Sequence, residues 1–134
     1  MSRTSTYVLV IFIGLGGALG SVLRYTMAHL FSTNIFPYGT LIVNILGCFI
    51  LAFLSNHAFI TKKLPKQVTI AINTGIIGSF TTFSTFTVET LTLITNNLFL
   101  GTTYVFASII VGLLACVVGY LLAKKIPTDK ESIQ

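Results

Sequence analysis

A chain of 134 residues that is 54% hydrophobic and only 8% charged cannot cover a water-facing surface, since soluble domains carry roughly 25% charged residues. Its net charge of +5 does not mark a nucleic-acid binder, because the basic residues stand at the ends of apolar runs and form no groove with interleaved aromatics. Together with a mean hydropathy of +0.92, this points to lipid as the solvent and to a single, all-α membrane domain.

Four stretches reach the ~20 mostly apolar residues that cross a hydrocarbon core about 30 Å thick. The first covers residues 7–31 and contains the run GLGGALG and Arg24. It is longer than the roughly 7–15 apolar residues of a cleavable signal, so it is expected to remain as a span. Gly16 and Gly20 make a small-residue pair at helical spacing, which lets helix backbones approach. Arg24 lies seven residues before Phe31. It can snorkel to the interface and can also act as a positive lure for anions at a vestibule; the two roles are compatible.

The second span covers 38–60 and is entered through Pro37. Asn44 is an amide in the middle of this apolar helix, where it must find a partner. Cys48, and Cys116 in the fourth span, have no further ligands at disulfide or metal spacing and read as small core hydrophobes. His29 and His57 fall at helix ends, facing headgroups.

The third span, 68–94, differs in kind. Gly75 and Gly78 precede residues 79–87, of which six of nine carry a hydroxyl. Such a segment is poor material for a continuous lipid-facing helix. One reading is a break buried in protein or lining a wet cavity, which frees carbonyls for a cation and a half-helix N-terminus for an anion. The other is an unbroken helix whose hydroxyls bond back to their own carbonyls. Glu89 lies inside the same span, and an intramembrane carboxylate is a functional-site candidate. Its alternative is a protonated or hydrogen-bonded residue facing the bundle, with Thr85 or Thr92 as partner.

The fourth span covers 98–123, with further small pairs at Ser108/Gly112 and Ala115/Gly119, and a polar tail follows at 127–134. The connections are short, so sequential helices are expected to be antiparallel neighbours. Four spans put the N-terminus, the 61–67 linker and the tail on one side. Arg3, Lys62, Lys63, Lys66, Lys124, Lys125 and Lys130 all fall there, with only Arg24 leaning the other way. The positive-inside rule then orients the chain with both termini inside. No Ser/His/Asp set, phosphate loop or paired acid supports an enzyme.

The fragments GGALGSVLRY (16–25), YGTLIVNILGCF (38–49) and GIIGSFTTFSTFTVE (75–89) together resemble the small fluoride channels known as Fluc or CrcB. The GxxGxxTTFSTF pattern is the most specific of these signals, and the resemblance spans all four helices. It implies a passive, fluoride-selective channel that exports fluoride across the cell membrane and confers resistance to it. It further implies an antiparallel dimer with two pores and a structural sodium ion on the two-fold axis, held by the backbone carbonyls of Gly78 and Thr81. By the same resemblance Phe83 and Phe86 are the pore phenylalanines, Asn44 the pore asparagine and Arg24 the vestibule arginine. Ser84 and Thr85 fall in the same motif, and Tyr104 and Ser108 match a polar track. Where some relatives continue that track with serine, this chain has Gly112. Dual topology is common in the family, yet the lysine bias here favours a heterodimer with an oppositely oriented homologue over a homodimer.

The residue chemistry agrees with passive conduction. Fluoride is small and strongly hydrated, and amides, hydroxyls and ring edges are donors without fixed charge. A mid-membrane lysine would hold the anion too tightly for it to leave. A small multidrug exporter needs an acid in its first helix and aromatic cages; here that helix carries Arg24, and Trp is absent. A non-transporting scaffold has no use for Asn44 or the threonine run.

Overall fold

The computed structural model describes residues 3–31, 33, 35–57 and 63–126. Helix α1 covers Arg3–Leu30 and α2 covers Tyr38–Asn56. Helix α3, Lys66–Ile70, runs on through a π-helix, Ala71–Ile77, into the single turn α4, Gly78–Phe80. Two extended residues follow, then α5, Phe83–Asn96, and α6, Leu98–Lys125.

Three helices are long and apolar enough to cross a membrane unaided: Thr6–Leu30, Tyr38–Asn56 and Leu98–Lys125. At 1.5 Å per residue the shortest, of 19 residues, reaches about 28 Å. The fourth span is assembled from two pieces laid end to end, 66–80 and 83–96. The four-helix expectation with a broken third member therefore holds. Helix α2 ends at Asn56, short of the expected 60, and residues 58–62 and 127–134 lie outside the described residues, as do the side chains of Arg3 and Lys66. Helix α6 runs two residues beyond the expected 123. There the Lys124 ammonium sits 4.5 Å from the Tyr120 ring centroid, a cation–π contact that suits a helix end at the interface.

Small residues set the packing. Gly75 meets the Ile13 carbonyl, where an added Cβ would stand 2.7 Å away, and Gly16 meets the Ala71 carbonyl at 3.2 Å. Gly20 abuts the Ile76 carbonyl with no room for a side chain. From Gly16, which faces Ala71 and Ile76, to Gly20, which faces Ile76 and Phe80, the partners advance in the same sense, so α1 runs parallel to the 66–80 rod. The second close pair is α2 with α6, again parallel: Cys48 faces Gly112 and the Phe49 backbone faces Gly119. The hairpin between α1 and α2 closes at Gly39 against Ala28. Every small pair singled out in α1 and α6 thus has a member in a helix contact, as close approach without a hydrophobic driving force requires. The buried centre is thin: Val43 and Tyr104 are fully buried, whereas outward residues such as Leu15 and Leu113 are open to lipid.

Candidate functional site

The site begins where α4 stops. Thr81 (φ −77°, ψ 159°) and Thr82 (φ −147°, ψ 125°) are extended. The Thr81 N–H still donates to the Ile77 carbonyl at 3.0 Å, and its hydroxyl donates to the same oxygen at 3.1 Å. Beyond that, helical bonding fails. Thr82 N–H donates to Asn44 Oδ1 at 2.9 Å, and Asn44 Nδ2 donates to the Thr82 carbonyl at 3.0 Å. The side-chain amide of α2 therefore satisfies both backbone groups of one residue, which in lipid would otherwise cost several kcal/mol each. Gly47, one turn on, lets α2 come this near, because a Cβ there would run into Thr81 Cγ2. Of the two readings of this segment, the break is the one realised.

The chain restarts on Thr82, whose hydroxyl accepts from Thr85 N–H at 3.2 Å and donates to Thr85 Oγ1 at 2.9 Å, with Ser84 Oγ 3.4 Å away. This is a threonine N-cap for α5. The diversion of donors has a second result. In a continuous α-helix the Thr82 and Thr85 N–H groups would reach the carbonyls of Gly78 and Thr81, four residues back. Here they go to Asn44 and to the Thr82 hydroxyl. The carbonyls of Gly78 and Thr81 lose those donors and are left as acceptors at the break. Among the described residues no three His, Cys, Asp or Glu side chains gather to hold a metal. Acceptors at the end of α4 and the N–H groups opening α5 give the break a negative and a positive pole.

Two cavities flank it. One, of about 430 Å³, is lined by Asn44, Gly78, Thr81, Phe83, Phe86 and Ser108, so the structure brings these six expected residues together. The other, of about 220 Å³, lies on the α1 side and holds Arg24, Ser21, Thr40, Thr82 and Thr85. Arg24 and Asn44 thus face different cavities, with Thr82 as the common wall. Tyr104 is fully buried and lines neither. Its ring lies 5.1 Å from Phe86 and 5.4 Å, edge-on, from Phe36. The Phe83 and Phe86 ring centroids are 6.0 Å apart, but Phe83 is 79% exposed while Phe86 is half-buried.

A hydroxyl carries one proton, and several are already engaged. Ser108 donates to the Tyr104 carbonyl at 2.7 Å, one turn back on α6. Tyr104 donates to Glu89 Oε2 at 2.8 Å and Thr40 donates to Oε1 at 2.9 Å. Thr85 accepts from Thr82 and keeps its own proton, and Asn44 keeps its second amide hydrogen. Thr85 offers its proton on the Arg24 side, and Asn44 with the ring edges offers donors on the other. Glu89 is thus the hydrogen-bonded residue of the second alternative, but its partners are Tyr104 and Thr40, not Thr85 or Thr92. Thr85 is part of the N-cap, and the Thr92 hydroxyl bonds back to Val88 O at 2.9 Å. Sequence reasoning passed over Thr82 and Thr40. Thr82 sits in the TTFSTF motif itself, and Thr40 lies one turn before Asn44 and so on the same helix face.

The family described as CrcB-like protein, Camphor Resistance (CrcB), matches residues 11–120. A Bacillus cereus protein named "Fluoride-specific ion channel FluC 1" is 42% identical over 118 residues, covering 85% of this chain and 86% of its own. "Fluoride-specific ion channel FluC" of Oceanobacillus iheyensis is 41% identical, covering 85% of this chain and 90% of its own. The protein of that name from Dehalococcoides mccartyi is 40% identical, covering 84% and 90%. A match from α1 to the far part of α6, including the break and the helix faces that shape it, makes this chain a member of the CrcB family.

Proposed function

We propose that this chain is a passive fluoride channel subunit of the cell membrane, conducting through the groove beside the broken helix. The observation that carries this is the reciprocal bond between Asn44 and Thr82. It holds open a break whose N-terminal pole, spare amide hydrogen and Thr85 proton offer an anion neutral donors. Fluoride leaving water needs many short contacts, yet each must be weak enough to release it. The Arg24 cavity raises the local anion concentration. Thr85 on that side and Asn44 in the groove then replace part of the hydration shell, and the positive edges of Phe86 and Phe83 continue the path. The names of the Bacillus, Oceanobacillus and Dehalococcoides relatives support fluoride as the ion.

A second copy in the opposite orientation completes the path in this reading. Phe83 lies on the outer face of the single chain, 79% exposed, and a ring that faces a pore needs a wall opposite it. The carbonyls of Gly78 and Thr81, stripped of their helical donors, suit a sodium ion, since a hard monovalent cation takes neutral oxygens. The lysine bias of the linker and tail favours an oppositely oriented homologue as the partner. The test is anion efflux from liposomes holding the purified protein, followed with a fluoride- or a chloride-selective electrode after valinomycin is added to potassium-loaded vesicles. Efflux is expected with fluoride and not with chloride as the only internal anion. A trace equal to that of protein-free vesicles overturns the reading.

A further inference from the structure

Glu89 takes no part in the path just described, yet it is tied to both sides of it. Its carboxylate faces a cavity of about 290 Å³ at the end of the bundle, walled by Ala28, Phe31, Phe36, Thr40 and Leu93, with no second titratable or charged group among the lining residues. Tyr104 from α6 and Thr40 from α2 each donate to one of its oxygens. Both hydroxyls stand close to the route. The Tyr104 ring packs on Phe86, and Thr40 lines the Arg24 cavity one turn from Asn44. Each has a single proton, so a hydroxyl aimed at the carboxylate cannot face an anion.

We propose that Glu89 sets how long fluoride dwells in the path, and so its throughput, by withholding the Tyr104 and Thr40 protons from the anion. The inference rests on the fluoride-channel reading above. Two engaged donors keep the path weakly binding, which is what exit requires. Glutamine at this position keeps the size but has one acceptor oxygen and an amide that donates. At least one hydroxyl is then freed toward the anion.

The experiment is the fluoride-concentration dependence of efflux for wild type, Glu89→Gln and Glu89→Gln/Tyr104→Phe. In Glu89→Gln the half-saturating fluoride concentration is expected to fall by roughly 5-fold or more, the equilibrium effect of about one neutral hydrogen bond, and the maximal flux to fall with it. In the double variant half-saturation moves back toward wild type, because the released phenol proton is absent. A residue that merely joined helices would lower the maximal flux at constant half-saturation, and that result overturns the proposal. If Glu89→Gln yields no folded protein, Tyr104→Phe alone decides. A withheld proton leaves half-saturating fluoride within about 2-fold of wild type, whereas a rise of roughly 5-fold means that Tyr104 already serves the anion and the proposal is wrong. Wild-type vesicles that release no fluoride end the channel reading; wild-type efflux with unchanged Glu89→Gln half-saturation ends only this one.

Discussion

Replacing Asn44 by aspartate exchanges one NH₂ for an oxygen at the point where α2 holds the break. Thr82 N–H keeps its acceptor, but the Thr82 carbonyl, which receives the amide hydrogen at 3.0 Å, then faces a second oxygen. An unpaired buried carbonyl costs about 1–3 kcal/mol, and a carboxylate near the centre of a span costs about 2.5–3.5 kcal/mol. The two together exceed the worth of any single contact in the thin core. Alanine at the same position carries no charge but strips both Thr82 groups of partners, for roughly 2–6 kcal/mol by the same rule. Both variants are therefore expected to lower the thermal midpoint in detergent, read by size-exclusion recovery after heating. Aspartate is also expected to abolish fluoride efflux, because a carboxylate repels the anion that an amide hydrogen attracts. An Asn44→Ala protein with a wild-type midpoint would refute the idea that this amide holds the helix open. Wild-type efflux from Asn44→Asp would remove Asn44 from the path.

Gly47→Ala places a methyl against Thr81 Cγ2 and is expected to destabilise by about 1–3 kcal/mol through overpacking. Adding Thr81→Ser, which removes that methyl and keeps the hydroxyl, should restore the midpoint; no recovery would mean that the strain lies elsewhere. Phe83→Ile and Phe86→Ile should keep the fold and reduce fluoride flux, since isoleucine has no positive ring edge; wild-type flux from both would discard the ring assignment. A reporter fused at the C-terminus should read inside only when this chain is expressed alone. Equal inside and outside signals with efflux intact would end the heterodimer idea.

The spans were legible because a length of apolar residues is a local property, and each of α1, α2 and α6 carries its own. The break was legible in kind, from glycines followed by a dense run of hydroxyls. Its position came only with the family motif, through the carbonyls of Gly78 and Thr81; the segment's own residues do not fix it, because it depends on an amide 38 residues upstream. The partners of Glu89 were hidden for the same reason: Thr40 and Tyr104 lie 49 and 15 residues away on other helices. Helical spacing within its own segment suggested Thr85 and Thr92, but those hydroxyls are used locally, as an N-cap and as a bond to the preceding turn. Arg24 was legible as a cation near the path, whereas its separation from the Asn44 cavity follows from how α1 packs on the 66–80 rod.

That dependence of the break on α2 bears on how the protein is made. Synthesis runs from the N-terminus, and α1 and α2 have the length and hydropathy to partition into the bilayer by themselves. The third segment does not; its glycines and hydroxyls leave two short pieces with unpaired backbone between them. When it emerges, Asn44 already stands in the membrane with a donor and an acceptor unmet, and the bond to Thr82 supplies what the nascent segment lacks. On this reasoning the asparagine would receive the third segment as it inserts, since the bond it makes to Thr82 joins two segments 38 residues apart. A chain rearranged so that residues 66–96 leave the ribosome before α2 should insert poorly, although its finished contacts would be the same.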